Sequence, residues 1–330
     1  MVAAMTRKHP RPVAASDGEE PPGLGSARPT EIQVPLTPLT NLPKRPSLTL
    51  ISGVDAGKLF VLDAAETVIG RTHDSGVRIN DVGISRRHAR VLRGPDGSLV
   101  LEDLGSTNGI YRNGERTQRA QLVPGDKVQI GRSVLLRYSL LDVSEEAQAR
   151  QLFEMSTRDA LTRAYSRNYL TGRLTVEVGH ADREGASLGL IMLDVDHFKR
   201  TNDTYGHIAG DTVLQAVAAH VARLIRADDV FARYGGEEFV VLLRSAPHGD
   251  VVRFAERIRK GIEELVIPFG EGVLAARVSV GVASLTELGS PSPDAGSSAV
   301  DEERGAALLD VADKRLYKAK GTGRNRVVAA

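Results

Sequence analysis

The spacing of apolar residues changes once along this 330-residue chain, near residue 142, and one fold cannot satisfy both patterns. Upstream, short β-type runs at 48–51, 58–62, 67–69, 88–92, 98–101, 127–130 and 134–138 are separated by turn chemistry. Gly94-Pro95-Asp96-Gly97, Asn113-Gly114 and Pro124-Gly125-Asp126 are the clearest turns. Many short strands with almost no helix predict an all-β sandwich. Downstream, helical patterns at 168–178, 210–226, 247–265 and 304–320 flank strands at 188–193, 230–233, 239–243 and 275–283, an α/β or α+β arrangement. A helix over 143–157 joins the two, with Ser144 expected as its cap. Its thin apolar stripe (Val143, Ala147, Leu152, Met155) reads either as a connector or as a short dimer contact.

Nine of the fifteen prolines precede residue 47, in a stretch with little apolar periodicity. Such a segment buries too little to offset its ordering entropy, so 1–46 is expected to be a disordered tail. The expected division is therefore a tail at 1–46, a sandwich at 47–141, a linker helix at 142–157 and an α/β domain at 158–330. Residues 286–303, rich in Gly, Ser, Pro and acidic groups, read as a surface insertion. The longest apolar runs are far shorter than a bilayer span, and the N-terminus lacks a signal-peptide core, so a cytoplasmic protein is expected. With 43 basic and 42 acidic residues the net charge is +1, which gives no support for a nucleic-acid or membrane partner. Zero cysteine excludes a disulfide scaffold, thiolate zinc sites and a cysteine nucleophile.

Within the sandwich, Gly70-Arg71, Ser85-Arg86-Arg87-His88 and Ser106-Thr107-Asn108-Gly109 all fall at strand ends or loops. Loops at one end of a sandwich converge, and an Arg fork with Ser and Thr hydroxyls can hold a phosphate dianion. His88 enters a strand and is expected to buttress the loops by hydrogen bonding. These segments, with Val68-Ile69, the run from Leu101 to Leu104 and the run from Leu122 to Gly131, resemble the forkhead-associated (FHA) domain. That resemblance implies phosphothreonine-peptide binding by Arg71, Ser85, Thr107 and Asn108, with Arg86 assisting. Its ligand would be a phosphothreonine protein or the chain's own tail, phosphorylated at Thr37 or Thr40.

In the second half, the uncharged apolar run 188–193 ends in Asp194-Val195-Asp196, which places a carboxylate at a sheet edge. Arg233-Tyr234-Gly235-Gly236-Glu237-Glu238-Phe239 reads as a hairpin whose glycines allow a tight turn. Carboxylates on two adjacent strands can share Mg²⁺, which prefers hard oxygen donors and completes its shell with substrate phosphates.

These motifs resemble the GGDEF diguanylate cyclase family in a Gly-Gly-Glu-Glu-Phe form, across about 157–328. Residues 194–203, Tyr205-Gly206-His207 through Gly210-Asp211, 278–283 and the closing run from Ala312 to Asn325 carry the likeness in the expected order. The resemblance implies a palm-like, antiparallel-centred sheet with flanking helices, and synthesis of cyclic di-GMP from two GTP with release of two pyrophosphates. Asp194, the carbonyl of Val195 and Glu237 would hold Mg²⁺, with Mn²⁺ as a substitute. Glu237 or Glu238 would assist deprotonation of the attacking 3′-hydroxyl, and Lys199 would stabilise charge on the phosphates. Lys320 and Arg324 would hold the outer phosphates, Asn202 and Asp211 would read guanine, and His207 would lie near the nucleotide. One GTP per domain implies a homodimer for catalysis.

Arg226 and Asp229, an Arg-x-x-Asp pair upstream of the Gly-Gly turn, match the family's product-inhibition site, with Arg257 as partner. Where the family usually reads Gly-Leu and then Asn-Arg-Arg, this chain has Arg163-Ala164-Tyr165 and Ser166-Arg167-Asn168, away from the metal and nucleotide groups. The competing reading is a catalytically silent adaptor that binds cyclic di-GMP and docks phosphoproteins.

Overall fold

The computed structural model describes residues 42–330 except 80, 82 and 290–296. Most of the expected tail, including Thr37 and Thr40, lies outside the described residues. The first half forms eleven strands among the described residues. They are β1 (Arg45–Leu50), β2 (Leu59–Val61), β3 (Glu66–Gly70), β4 (Val77–Arg78), β5 (Ala89–Arg93), β6 (Leu99–Asp103), β7 (Ile110–Arg112), β8 (Glu115–Thr117), β9 (Arg119–Leu122), β10 (Lys127–Ile130) and β11 (Val134–Leu141). One sheet runs β2-β1-β11-β10-β7-β8 and the other β4-β3-β5-β6-β9. Alternate residues from both sheets, among them Leu48, Ile69, Leu101, Ile130 and Leu136, fill a shared core. The sandwich was legible in the sequence, but β4, β7, β8 and β9 were not: at two to four residues they carry too little alternation. Arg45 and Pro46, expected in the tail, belong to β1 and pair with Leu141 and Leu140.

The linker is helix α1 (Val143–Thr157), as expected, but its cap is Asp142 rather than Ser144. Asp142 Oδ1 accepts from the backbone N–H groups of Ser144 and Glu145 at 2.8 and 2.9 Å, and Glu145 returns a bond to the Asp142 N–H. The apolar stripe is not the buried face: Val143, Leu152 and Met155 are more than half exposed. Instead α1 touches the sandwich through buried Glu146, paired with Arg45 at 3.2 Å, and through Phe153 over Gly57.

The second half comprises α2 (Arg167–Glu184), β12 (Leu188–Val195), α3 (Phe198–Tyr205), α4 (His207–Leu224), β13 (Val230–Arg233), β14 (Glu238–Arg244), α5 (His248–Glu263), the hairpin β15 (Ile267–Phe269) and β16 (Gly272–Leu274), β17 (Val278–Ser284), α6 (Ser298–Gly321) and β18 (Val327–Val328). Its sheet runs β13-β14-β12-β17-β18, antiparallel apart from the β17–β18 edge. Helix α6 begins at Ser298, six residues before the expected start, so the end of the proposed insertion is helical. The insertion's residues 290–296 lie outside the described residues. No helix among the described residues is long and apolar enough to cross a membrane.

Strand β12 is buried at all eight positions because both faces are covered. Ile191, Leu193 and Val195 pack with residues of α4 and α5, while Leu190 and Met192 pack with residues of α2 and α6. The period-two alternation of a strand thus divides one apolar run between two cores.

On β17, Gly281 lets α6 approach the sheet. A Cβ there would stand 2.0 Å from the Ala312 carbonyl oxygen and 2.5 Å from the Leu316 nitrogen, both backbone atoms that cannot swing away. Gly281→Ala is expected to force α6 off the sheet and lower unfolding stability by about 3 kcal/mol, measured by urea denaturation. Unchanged stability would mean the helix shifts freely.

Candidate active site and neighbouring anion-binding surfaces

Asp194 stands one residue from the end of β12, directly opposite Glu238 at the start of β14. The next pair closes the edge: the Val195 N–H donates to the Glu237 carbonyl at 3.2 Å. Asp194, Val195, Glu237 and Glu238 are therefore brought together by strand register alone. The Gly-Gly turn differs from the expectation in its cause. Neither Gly235 nor Gly236 has a positive φ. A Cβ on Gly235 would instead sit 2.6 Å from Glu238 Oε2, so the glycine leaves room for a carboxylate. Arg233 holds the turn by donating to the Gly236 carbonyl (2.6 Å from Nη2) and to Asp159 (3.1 Å from Nη1).

Lys320, near the end of α6, reaches Asp194 Oδ2 at 2.7 Å. The expected phosphate ligand thus lies against the expected metal carboxylate. Asp194 is 6% exposed, and burial pushes its carboxyl up to about 6. Lys320 opposes that rise, while the charges of Glu237 and Glu238 add to it. No group of three or more His, Asp or Glu among the described residues forms a complete metal cage. The donor chemistry nevertheless fits a hard divalent cation shared with substrate: a main-chain carbonyl and two carboxylates, one of them a buried group that already draws an ammonium onto itself.

Asp196 was not predicted as a site residue, and its role is positional. Its carboxylate accepts from Ser279 Oγ at 2.7 Å and from the Asn325 N–H at 2.9 Å, tying the loop after α6 to the active edge. Arg324, in that loop, is exposed with φ 60°. A carboxylate two residues after Asp194 was the visible signal, but its partners lie 83 and 129 residues away.

The expected nucleotide residues sit on α3 and α4, where Gly206 turns the chain between two helices. Lys199, His207 and Asp211 are exposed, whereas Asn202 Oδ1 is buried without a hydrogen-bond partner among the described residues. Gly210 makes its space: a Cβ there would stand 1.9 Å from Asn202 Oδ1. An unpaired buried amide oxygen is costly, and Asn202 leaves one open to accept a hydrogen bond.

At the sandwich end, Arg71, Ser85, Arg86, Thr107 and Asn108 converge as expected. The Arg71 N–H donates to the Ser85 carbonyl at 3.3 Å, and the Thr107 N–H to Ser85 Oγ at 3.3 Å. Asn108 Nδ2 donates to the Gly83 carbonyl at 2.9 Å. His88, fully buried, accepts the Ser85 N–H on Nδ1 (3.0 Å), so Nε2 carries the proton and donates to the Gly109 carbonyl (3.0 Å). It is the buttress the sequence suggested. Thr72, Asp74 and Arg87 join Ser85 and Arg86 around one recess; Thr72 and Asp74 were not singled out in the sequence, and Arg87 was read in its motif without a role.

Arg226, Asp229 and Arg257 also meet. They line a cavity of about 400 Å³ with Phe254 and Arg253. Asp229 Oδ2 accepts from the Arg226 N–H at 2.9 Å, and burial raises its carboxyl above the usual range.

The family described as diguanylate cyclase, GGDEF domain, matches residues 156–326, and the FHA domain matches residues 67–131. Diguanylate cyclase A of Treponema denticola is 37% identical over 180 residues, 54% of this chain and 45% of that protein. Response regulator PleD of Caulobacter vibrioides is 38% identical over 177 residues, covering 53% of this chain and 36% of that protein. Diguanylate cyclase DgcP of Pseudomonas aeruginosa is 32% identical over 281 residues, covering 83% and 38%. The chain thus spans less than half the length of these curated relatives. A solved structure of the coiled coil and GGDEF domain of DgcB from Caulobacter crescentus, in complex with c-di-GMP, is 30% identical. It covers 56% of this chain and 91% of that one, with a TM-score of 0.49.

The raised Asp194 carboxyl has a stability consequence. The folded state holds that proton more tightly than the unfolded chain, so the buried charge lowers stability above about pH 6 and costs nothing below about pH 4. Asp194→Asn is expected to gain on the order of 1 kcal/mol over the parent at pH 7.5, with the gain shrinking toward pH 4. Paired urea unfolding at both pH values measures it, and a pH-independent difference would reject burial as the cause.

Proposed function

Because the chain belongs to the GGDEF-domain diguanylate cyclase family, we propose that it joins two GTP molecules into cyclic di-GMP with release of two pyrophosphates. The observation that carries this reading is the meeting of Asp194, Glu238 and Lys320, from three separate elements, at one sheet edge. Asp194, the carbonyl of Val195 and Glu237 would hold Mg²⁺, or Mn²⁺ in its place. Bound there, the ion supplies charge neutralisation for the phosphates and acidifies the attacking 3′-hydroxyl.

The chain's own side chains do the rest. Glu238, kept close by Gly235, accepts the 3′-hydroxyl proton, and Glu237 would be a ligand of the metal. Lys199 at the start of α3 stabilises the charge that grows on the transferred phosphate, and Lys320 and Arg324 grip the outer phosphates. Lys320 would move from Asp194 to phosphate as substrate arrives, a short swing of one flexible ammonium. Asn202 donates through its amide and accepts through its orphan oxygen, and Asp211 accepts, which suits the guanine edge. His207 stands at the first position of α4, beside the nucleotide. Since each domain holds one GTP, two copies must face one another, and their geometry sets the rate.

We further read residues 47–141 as a phosphothreonine reader, 142–157 as a linker helix and 158–330 as the cyclase, behind the tail at 1–46. Arg71 and Arg86 would grip the phosphate with Ser85 and Thr107, and Asn108 would hold the peptide backbone. The cavity at Arg226, Asp229 and Arg257 would bind cyclic di-GMP as inhibitor, its arginines facing the two phosphodiesters.

Incubation of the full chain with GTP and Mg²⁺ should yield cyclic di-GMP, and Glu238→Ala should lower the rate by at least a hundredfold with unchanged circular dichroism. No product from any phosphorylation state or forced dimer would leave only the silent-adaptor reading. Arg226→Ala should retain the initial rate but continue past the product concentration at which the parent stops, measured by progress curves with added cyclic di-GMP.

A further inference from the structure

The sandwich does not meet the cyclase at an arbitrary place. Arg71 Nη1 is bonded to Glu184 Oε1 at the end of α2, at 2.8 Å. His73 Nε2 lies 2.7 Å from Asp228 Oδ2, and Arg78 pairs with the other oxygen of the same carboxylate. Asp228 is one of the two residues between Arg226 and Asp229. Around the base of this contact, Tyr169 Oη donates to Asp55 at 2.7 Å, Arg173 reaches the same carboxylate at 3.4 Å, and Val54 packs over Gly172. A Cβ on that glycine would stand 2.6 Å from Val54 Cγ1.

Between the two surfaces lies a cavity of about 450 Å³. Arg71, Arg78 and Arg86 line it from the sandwich, and Arg226, Asp228 and Asp229 line it from the cyclase. Arg226 and Asp229 also line the cavity that reaches Arg257, so the two recesses meet across the same residues. Among the described residues Arg86 and Arg226 make no ion pair, and His180 Nδ1 is buried there without a partner. Arg71 already holds an anion, the carboxylate of Glu184. That contact is the kind a phosphate dianion replaces, because a bidentate Arg–phosphate pair outcompetes a single partly exposed carboxylate. Arg226 and Asp229 line both recesses, so a ligand that engages them from one side takes them from a ligand on the other.

We propose that the phosphate-reading end of the sandwich and the Arg226–Asp229 loop form one shared anion site, in which a phosphothreonine peptide and cyclic di-GMP exclude one another. The proposal rests on the reading that Arg71 binds phosphothreonine and Arg226 binds product. Its content is the coupling between them: an incoming phosphopeptide displaces Glu184 from Arg71, occupies the common cavity and lifts product inhibition. Product bound first closes the same cavity to peptide. Linkage makes the effect reciprocal, with each ligand weakening the other by the same factor.

The test uses the full chain, a fluorescent cyclic di-GMP and a degenerate phosphothreonine peptide library, with the unphosphorylated library as control. Saturating phosphorylated library should weaken cyclic di-GMP binding by about tenfold or more, and the unphosphorylated library should leave it unchanged. Arg71→Ala should abolish that displacement while cyclic di-GMP still binds. Glu184→Gln should tighten capture of the phosphorylated library severalfold, since the internal competitor has lost its charge. Phosphopeptide bound through Arg71 with no change in cyclic di-GMP affinity would overturn the coupling and leave both parent readings intact. Failure of the library to bind would overturn the phosphothreonine reading, and failure of the dinucleotide to bind would overturn the product-site reading; either removes the shared site with it.

Discussion

The chemistry of this chain hangs on one strand being paired on both sides. β12 lies between β14 and β17, and its backbone groups are used in both ladders. That double pairing fixes its register to the residue, so Asp194 faces Glu238 and cannot slip to the opposite face without moving eight buried residues. The same pairing takes Asp194 out of water. A carboxylate so placed is uncomfortable as an anion, and that discomfort is what makes it receptive to an ammonium or a hard cation. Burial and reactivity are here one property, set by a strand that continues one residue past its aspartate.

The sheet edge gains its remaining groups from helices that other small residues bring close. Gly281 admits α6 to β17, and α6 delivers Lys320. Gly210 admits Asn202, and Gly235 admits Glu238. In each case a missing Cβ is filled by a neighbour's backbone or polar side chain. Glycine acts at these three positions through volume rather than through backbone freedom, since none of them has a positive φ.

This distinction also explains what could be read from the sequence. Strand β12 with its terminal carboxylate was legible because apolar runs and charge are local signals, and the loop motifs around Arg71, Ser85 and Asn108 were legible for the same reason. The linker helix was located to the residue, yet its cap was misassigned because Asp142 and Ser144 both accept hydrogen bonds and only geometry selects between them. Its stripe of Val143, Leu152 and Met155 stays exposed, and Glu146 and Phe153 make the contacts with the sandwich. Hidden altogether were Asp196 as a tie to the C-terminal loop, and the Arg71–Glu184 contact across 113 residues. Pairings that far apart leave no periodicity behind; each half looks like an ordinary solvated charge.

Asp228 carries a consequence of its own. It occupies a spacer position in a four-residue motif whose outer members, Arg226 and Asp229, define the motif by themselves. Because the spacer is unconstrained by the ligand those two would hold, it is free to carry a second message, and here it takes Arg78 and His73 from the neighbouring domain. A scan for the motif would score the chain identically with any residue there. On the proposed reading, control would be written or erased at a position that leaves the Arg226–Asp229 motif untouched, and chains with the same motif need not answer to the same signal.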